Sequence, residues 1–176
     1  MLRELSDTKL AEIERAGELI CQALSGGHKI LLCGNGGSAA DSQHIAAEFI
    51  GRFKKERRSL PAIALTTDTS ALTAIANDYH YDLVFARQIE GLGAVGDVLI
   101  AISTSGNSKN ILEAVRQAKK MQMITLGFTG KAGGKLKDAV DFCYRAESVK
   151  TPHIQEMHIT ALHAISEVVE NVLFGS

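Results

Sequence analysis

The sequence predicts an α/β fold, a parallel sheet with helices on both faces, in a single domain spanning residues 1–176. Three observations carry this. Short apolar runs alternate with helix-period stretches along the chain. Two polar, glycine-containing loops directly follow apolar runs, where an open parallel sheet places its ligand loops. The chain has 176 residues, 45% of them hydrophobic and 22% charged, the size and composition of one domain with a sizeable core.

The elements read in order as follows. Residues 2–24 form a helix, with Leu10, Ile13, Gly17, Ile20 and Leu24 at 3-4-3-4 spacing. That stripe packs on its own domain or pairs with another subunit, so residues 1–25 are a candidate oligomerisation helix. Ser25-Gly26-Gly27 ends the helix. Lys29–Cys33 (KILLC) is a buried strand, followed by Gly34–Ser38 and a helix from about Ala39 to Phe53. Ala62–Leu65 is the second strand, and residues 68–77 and 81–92 are helical. Asp97–Ile102 is the third strand, followed by Ser103–Ser108 and a helix to about Met121. Met123–Thr129 is the fourth strand, and a loop and short helix lead to a weak fifth at Phe142–Arg145. Pro152 introduces a final helix, about His153 to Phe174. The charged stretch Lys54–Arg58 reads as a solvated loop.

Composition removes several function classes. Lys+Arg is 19 against Asp+Glu 20, so nucleic-acid binding through bulk basicity is disfavoured. Trp is absent and aromatics are 5%, too few for base-stacking platforms. No apolar run is long enough to span a bilayer, and the acidic, periodic N-terminus is unlike a signal peptide. Cys21, Cys33 and Cys143 are scattered, with no C-x-x-C, which fits a reducing cytoplasm and not a disulfide framework or a Cys-based zinc site. Cys33 reads as a core residue.

Two loops carry the chemistry. In the second, Ser103, Thr104, Ser105 and Ser108 place four hydroxyls within six residues, at the start of a helix whose free N–H groups favour an anion. An N-cap needs one or two hydroxyls; four point to a phosphate monoester. The first loop, Gly34-x-Gly36-x-x-Ala39, partly matches a dinucleotide fingerprint. Position 54, about 20 residues on, is Lys and not the acidic residue the fingerprint requires, so no nucleotide cofactor is expected.

Titratable groups gather on two helices. His44, Glu48 and Arg52 stand four residues apart on one face. Glu48 and Arg52 could form a surface ion pair, or Glu48 could serve as a base with His44 beside it. Gln155, His158 and His163 interrupt the apolar pattern of the last helix, where a histidine is either a satisfied core residue or functional; Glu167, one turn after His163, could orient its imidazole.

CGNGGSAADSQHIAAEF (33–49), TAIANDY (73–79), AISTSGNS (101–108) and IQEMHITALH (154–163), in this order and spacing, resemble the sugar isomerase (SIS) domain family, and within it the phosphoheptose isomerases. The resemblance runs from about residue 10 to the C-terminus. It implies a flavodoxin-like three-layer sandwich with a five-stranded parallel sheet, and homotetramers with active sites between subunits. It implies interconversion of D-sedoheptulose 7-phosphate and D-glycero-D-manno-heptose 7-phosphate, the first step toward ADP- or GDP-heptose and lipopolysaccharide or other surface polysaccharide. By resemblance, Ser103, Thr104, Ser105 and Ser108 hold the phosphate, while Asn35, Gly36, Gly37, Asn77, Asp78 and Gln155 line the sugar. Glu48, which also meets the substrate, matches the family's base and His163 its acid. His44, Glu48, Gln155 and His163 match positions that bind zinc in some members. Gln155 and His163 are eight residues apart, about 12 Å along a straight helix, a long reach for a single ion.

An aldose–ketose isomerase needs a base over a C–H bond, an acid or metal at the carbonyl oxygen, and a remote clamp. Glu48 would take the proton to give an enediol or enediolate, and His163 would serve the oxygen. A carboxylate bound to zinc is a weaker base, so the two assignments to Glu48 compete. The alternative is a non-catalytic SIS module that binds a sugar phosphate or, as some bacterial relatives do, the replication initiator protein. Such a module has no reason to keep Glu48 and His163 together with the hydroxyl loop.

Overall fold

The computed structural model describes residues 7–175. Among the described residues seven α-helices and five strands follow in order: α1 (Asp7–Ser25), β1 (Ile30–Cys33), α2 (Gly37–Ile50), β2 (Ala62–Ala64), α3 (Thr69–Asp78), α4 (Ala86–Leu92), β3 (Val98–Ile102), α5 (Lys109–Lys120), β4 (Ile124–Thr129), α6 (Leu136–Ala139), β5 (Phe142–Arg145) and α7 (Thr151–Phe174). A short 3-10 turn, Tyr81–Leu83, joins α3 to α4.

All five strands are parallel, in the order β2-β1-β3-β4-β5. β1 and β3 are buried at every position because helices cover both faces of the sheet. Alternate residues serve different cores. Ile30, Leu32, Val98, Ile100 and Phe128 pack with Ile13, Ile20, Phe49, Leu162 and Ile165 beneath α1, α2 and α7. Leu31, Cys33, Leu99 and Ala101 face Ile89, Ile111, Ala114 and Ala118 of α4 and α5.

The strand order positions the site. From β1 the chain adds β2 on one side, then returns to add β3 on the other. Ligand crevices of open parallel sheets form at such a reversal. The loops after β1 and β3 therefore meet as neighbours.

Several boundaries differ from expectation. α2 ends at Ile50, not near Phe53, because the Gly51 N–H closes the helix on the Ala47 carbonyl and the next residues are drawn elsewhere. The helix expected over 81–92 is broken, since the His80 side chain accepts from the Asp82 N–H and starts a separate 3-10 turn. α1 lays Ile13, Ile20 and Leu24 into the core and sets Gly17 against Val168 of α7, while Leu10 stays exposed. Its stripe thus packs on its own domain. Residues 2–6 of the expected helix lie outside the described residues.

The reading of Lys54–Arg58 as a solvated loop holds for the exposed Lys54, Glu56 and Arg58 and is corrected at Arg57. The Arg57 side chain is 1% exposed and pairs with Glu170, itself 3% exposed, at 2.9 Å. Cys33 is fully buried, as expected.

Candidate active site

The hydroxyl loop closes on itself. Ser103 Oγ donates to Ser108 Oγ at 3.1 Å, and Ser105 Oγ lies 3.5 Å from Ser103 Oγ. Ser108 occupies the N-cap of α5 yet makes no capping hydrogen bond, because its hydroxyl turns toward Ser103. The hydroxyls are therefore gathered at the helix start and do not simply cap it, which leaves the first-turn N–H groups of α5 to an anion. Gly106 has φ +67°, and a Cβ there would strike the Gly133 carbonyl, so only glycine allows the loop this turn. Thr104 lines, with Ser105, Gly130 and Ser148, a cavity of about 170 Å³.

A reciprocal amide pair ties the first ligand loop to the first turn of α5. Asn35 Nδ2 donates to Asn110 Oδ1 at 2.9 Å, and Asn110 Nδ2 donates to Asn35 Oδ1 at 2.8 Å. The Tyr81 hydroxyl adds a third contact to Asn35 Oδ1 at 3.2 Å. Asn77 and Asp78 close α3 just before that turn, with Asn77 Nδ2 on Asp78 Oδ1 at 2.8 Å.

α2 and α7 each follow a parallel strand, so they run side by side in the same sense. Their contacts are in register. Gly37 meets the Gln155 amide, where a Cβ would collide with it. His44 meets His163 one stage further on. Residues 53–55 meet Glu170 beyond that.

The middle stage gathers three candidate residues. His44 Nε2 is 3.0 Å from Glu48 Oε1 and 3.0 Å from His163 Nε2. One ligand atom from each residue lies within 4.8 Å of the others. Two imidazole nitrogens and a carboxylate oxygen form a donor set of the kind zinc takes. The site is open, with the His44 side chain half exposed and that of Glu48 22% exposed. Burial, with His44 next to it, holds the His163 imidazole below its ordinary pKa, opposed by Glu48. His163 is thus neutral at neutral pH, the state in which it binds metal or accepts a proton. Asp41, one turn ahead of His44, has its carboxyl pushed up by burial, with His44 drawing it back.

Two pairings expected from spacing are not formed. Glu48 takes His44 as its partner, and Arg52 approaches Glu56 at 3.7 Å. Glu167 pairs with Lys54 at 2.8 Å, while His163 stacks on Phe53. Two of the three histidines of α7 divide. His158 is fully buried, with Nε2 on the Thr129 carbonyl at 3.0 Å, whereas His163 opens toward α2.

Sequence reasoning does not single out Asn110, Tyr81, Phe53, Arg57 or Glu170. Asn110 and Glu170 do leave a trace there, as polar residues inside the apolar stripes of α5 and α7.

The SIS domain family model matches residues 1–130. A phosphoheptose isomerase of a Roseiflexus species is 55% identical over 172 residues, 98% of this chain and 87% of the relative. One from a Nitratiruptor species is 61% identical over 153 residues, 86% and 82% of the two chains. The solved phosphoheptose isomerase of Neisseria gonorrhoeae superposes with a TM-score of 0.87 at 47% identity, covering 92% of this chain and 86% of the other. That of Francisella tularensis gives 0.89 at 36% identity with the same coverage.

Proposed function

The chain belongs to the phosphoheptose isomerases of the SIS domain family, and we infer that it interconverts sedoheptulose 7-phosphate and D-glycero-D-manno-heptose 7-phosphate. It is an aldose–ketose isomerase. The observation that carries this reading is the convergence of His44, Glu48 and His163 in a protein whose β3 is followed by a loop of clustered hydroxyls.

The proposed roles follow from the family resemblance and the chemistry it requires. Ser103, Thr104, Ser105 and Ser108, with the free N–H groups of α5, clamp the phosphate far from the reacting carbons. This remote binding orients the open chain. Asn35, Gly36, Gly37, Asn77, Asp78 and Gln155 line the sugar.

In the ketose-to-aldose direction a Glu48 carboxylate oxygen removes a proton from C1, and the C–H electrons form the C1–C2 double bond of an enediol. The C2 carbonyl oxygen becomes a hydroxyl. Glu48 returns a proton to C2 as the O1 hydrogen leaves and the C1 aldehyde forms. The neutral His163 imidazole moves the hydrogen between the two oxygens, and it serves ring opening in the same way.

His44, Glu48 and His163 fit a zinc ion by donor type and mutual approach. When bound, zinc supplies Lewis-acid polarisation of the carbonyl. Zinc held by Glu48 would weaken its carboxylate as a base, so its two assigned roles compete. Gln155, with its amide against Gly37, is assigned to the sugar and, as a weaker candidate by donor type, to the metal. The open side of the cluster supports a homotetramer in which a neighbouring copy covers the site, and the product is placed upstream of nucleotide-activated heptose.

The test is a panel of sugar phosphates incubated with the purified protein, with products identified by NMR. The aldose 7-phosphate is expected from sedoheptulose 7-phosphate. Turnover of another sugar phosphate alone would replace the heptose assignment, and no turnover of any would refute the enzyme.

A further inference from the structure

Resting on the isomerase reading, we propose that Glu170 is a positioning residue for His163, acting with Arg57 and through the ring of Phe53.

Glu170 is 2% exposed on a helix whose buried positions are mostly apolar. A carboxylate in such a place is costly unless fully satisfied. Its oxygens accept from three successive backbone N–H groups, Phe53 at 2.9 Å, Lys54 at 2.8 Å and Lys55 at 3.0 Å. Arg57 Nε adds a fourth contact at 2.9 Å. Burial raises the Glu170 carboxyl pKa, but these four donors outweigh it and hold it below the usual range.

What this arrangement secures is the chain leaving α2. Instead of continuing the helix, residues 53–55 are caught on α7. The Phe53 ring is folded back onto His163, with centroids 5.4 Å apart and planes 21° from parallel. The other neighbour of the imidazole is His44, centroid at 4.9 Å and tilted by 59°. His163 is thereby held between Phe53 and His44. Glu170 is seven residues beyond His163, two turns along the same face, so one rigid helix carries both the imidazole and the group that places its stacking partner.

Arg57 extends the arrangement to Glu48. Its Nη2 donates to the Glu48 carbonyl at 2.7 Å and its Nη1 to the Phe49 carbonyl at 2.9 Å. These are carbonyls of the last turn of α2, the turn from which the Glu48 carboxylate projects. One buried ion pair thus fixes the backbone on both sides of the cluster, and a small error in such placement costs rate more than affinity.

The test uses full-length protein with ¹³C-labelled histidine and the variants Glu170→Gln and Phe53→Leu. The His163 Hε1 resonance, identified by its loss in His163→Gln, carries the ring-current shift of Phe53. In Glu170→Gln it is expected to move toward its position in Phe53→Leu, while the His158 resonance stays. With sedoheptulose 7-phosphate, kcat is expected to fall about tenfold with KM changed less than about twofold. Adding Glu170→Gln to Phe53→Leu is expected to lower kcat no further. An unmoved His163 resonance in Glu170→Gln overturns the proposal. So does an equal kcat loss with and without Phe53, the mark of a merely structural pair. If Glu170→Gln does not fold, Phe53→Leu decides alone, and wild-type kcat in that variant overturns the proposal. Wild-type protein without turnover would remove the isomerase reading, and the resonance shifts would still decide the positioning.

Discussion

Nε2 of His44 faces Nε2 of His163 at 3.0 Å, although the two residues are 119 apart in the chain. Two imidazole nitrogens at that distance share one hydrogen or one cation. The Glu48 carboxylate, 3.0 Å from the same His44 atom, makes the point attractive to either.

Glu48→Gln keeps the size of the side chain and removes its basicity. The expected loss in kcat is on the order of 10²–10⁴-fold with a small change in KM. Turnover in D₂O followed by NMR checks it, since the wild type should place deuterium at C2 of the aldose. Full activity in the variant would refute Glu48 as the base.

Ser103→Ala and Ser108→Ala each remove one member of the hydroxyl cluster. A lost hydrogen bond to a charged group costs about 1.5–3 kcal/mol, so KM should rise by roughly tenfold or more. Inhibition by inorganic phosphate should weaken in parallel. Unchanged inhibition in both variants would take the phosphate away from this loop.

Metal content gives a third check. The protein as purified is expected to bind one zinc per chain, and His44→Ala and His163→Ala each to lose it by elemental analysis. Dialysis against a chelator should lower turnover and added zinc restore it. Retained turnover in metal-free protein would leave the cluster as acid–base groups alone.

Asn110 is nearly buried and has its amide engaged with Asn35 in both directions. Asn110→Ala leaves Asn35 free to rotate and strands half of a buried pair, a cost of about 1–3 kcal/mol. A lower Tm together with a higher KM is expected, read by calorimetry and steady-state kinetics. An unchanged KM would mean that Asn35 does not need this support to meet the sugar.

His158 sets a pH limit on stability. Burial pushes its imidazole down to about 4, only partly offset by the hydrogen bond to the Thr129 carbonyl. The unfolded chain takes this proton below about pH 6.5, and the folded protein refuses it until about pH 4. The contribution is therefore complete above pH 6.5, falls as the pH drops, and is about 2 kcal/mol lower by pH 5. Urea denaturation at pH 7 and pH 5 measures it, and His158→Leu should abolish this part of the slope. An equal slope in the variant would assign the loss to other groups.

The five strands, their helical connections and the hydroxyl loop are legible from the order of residues, while His44, Glu48 and His163 stand out there as candidates whose roles come only through the family resemblance. These signals are local: apolar runs, helical period, and turn residues within a few positions. The partnerships arise only in three dimensions. Glu48 has helical neighbours at both four before and four after, and only the approach of α7 makes His44 its partner. His158 and His163 differ by five residues, about 140° around a helix, so packing alone sends one into the core and the other to the site. Arg57 and Glu170 are separated by 113 residues; Arg57 reads locally as a surface charge, and Glu170 only as a polar residue in an apolar stripe with no partner named. No periodicity connects them, because their contact exists only once two parallel helices have been laid side by side on the same sheet.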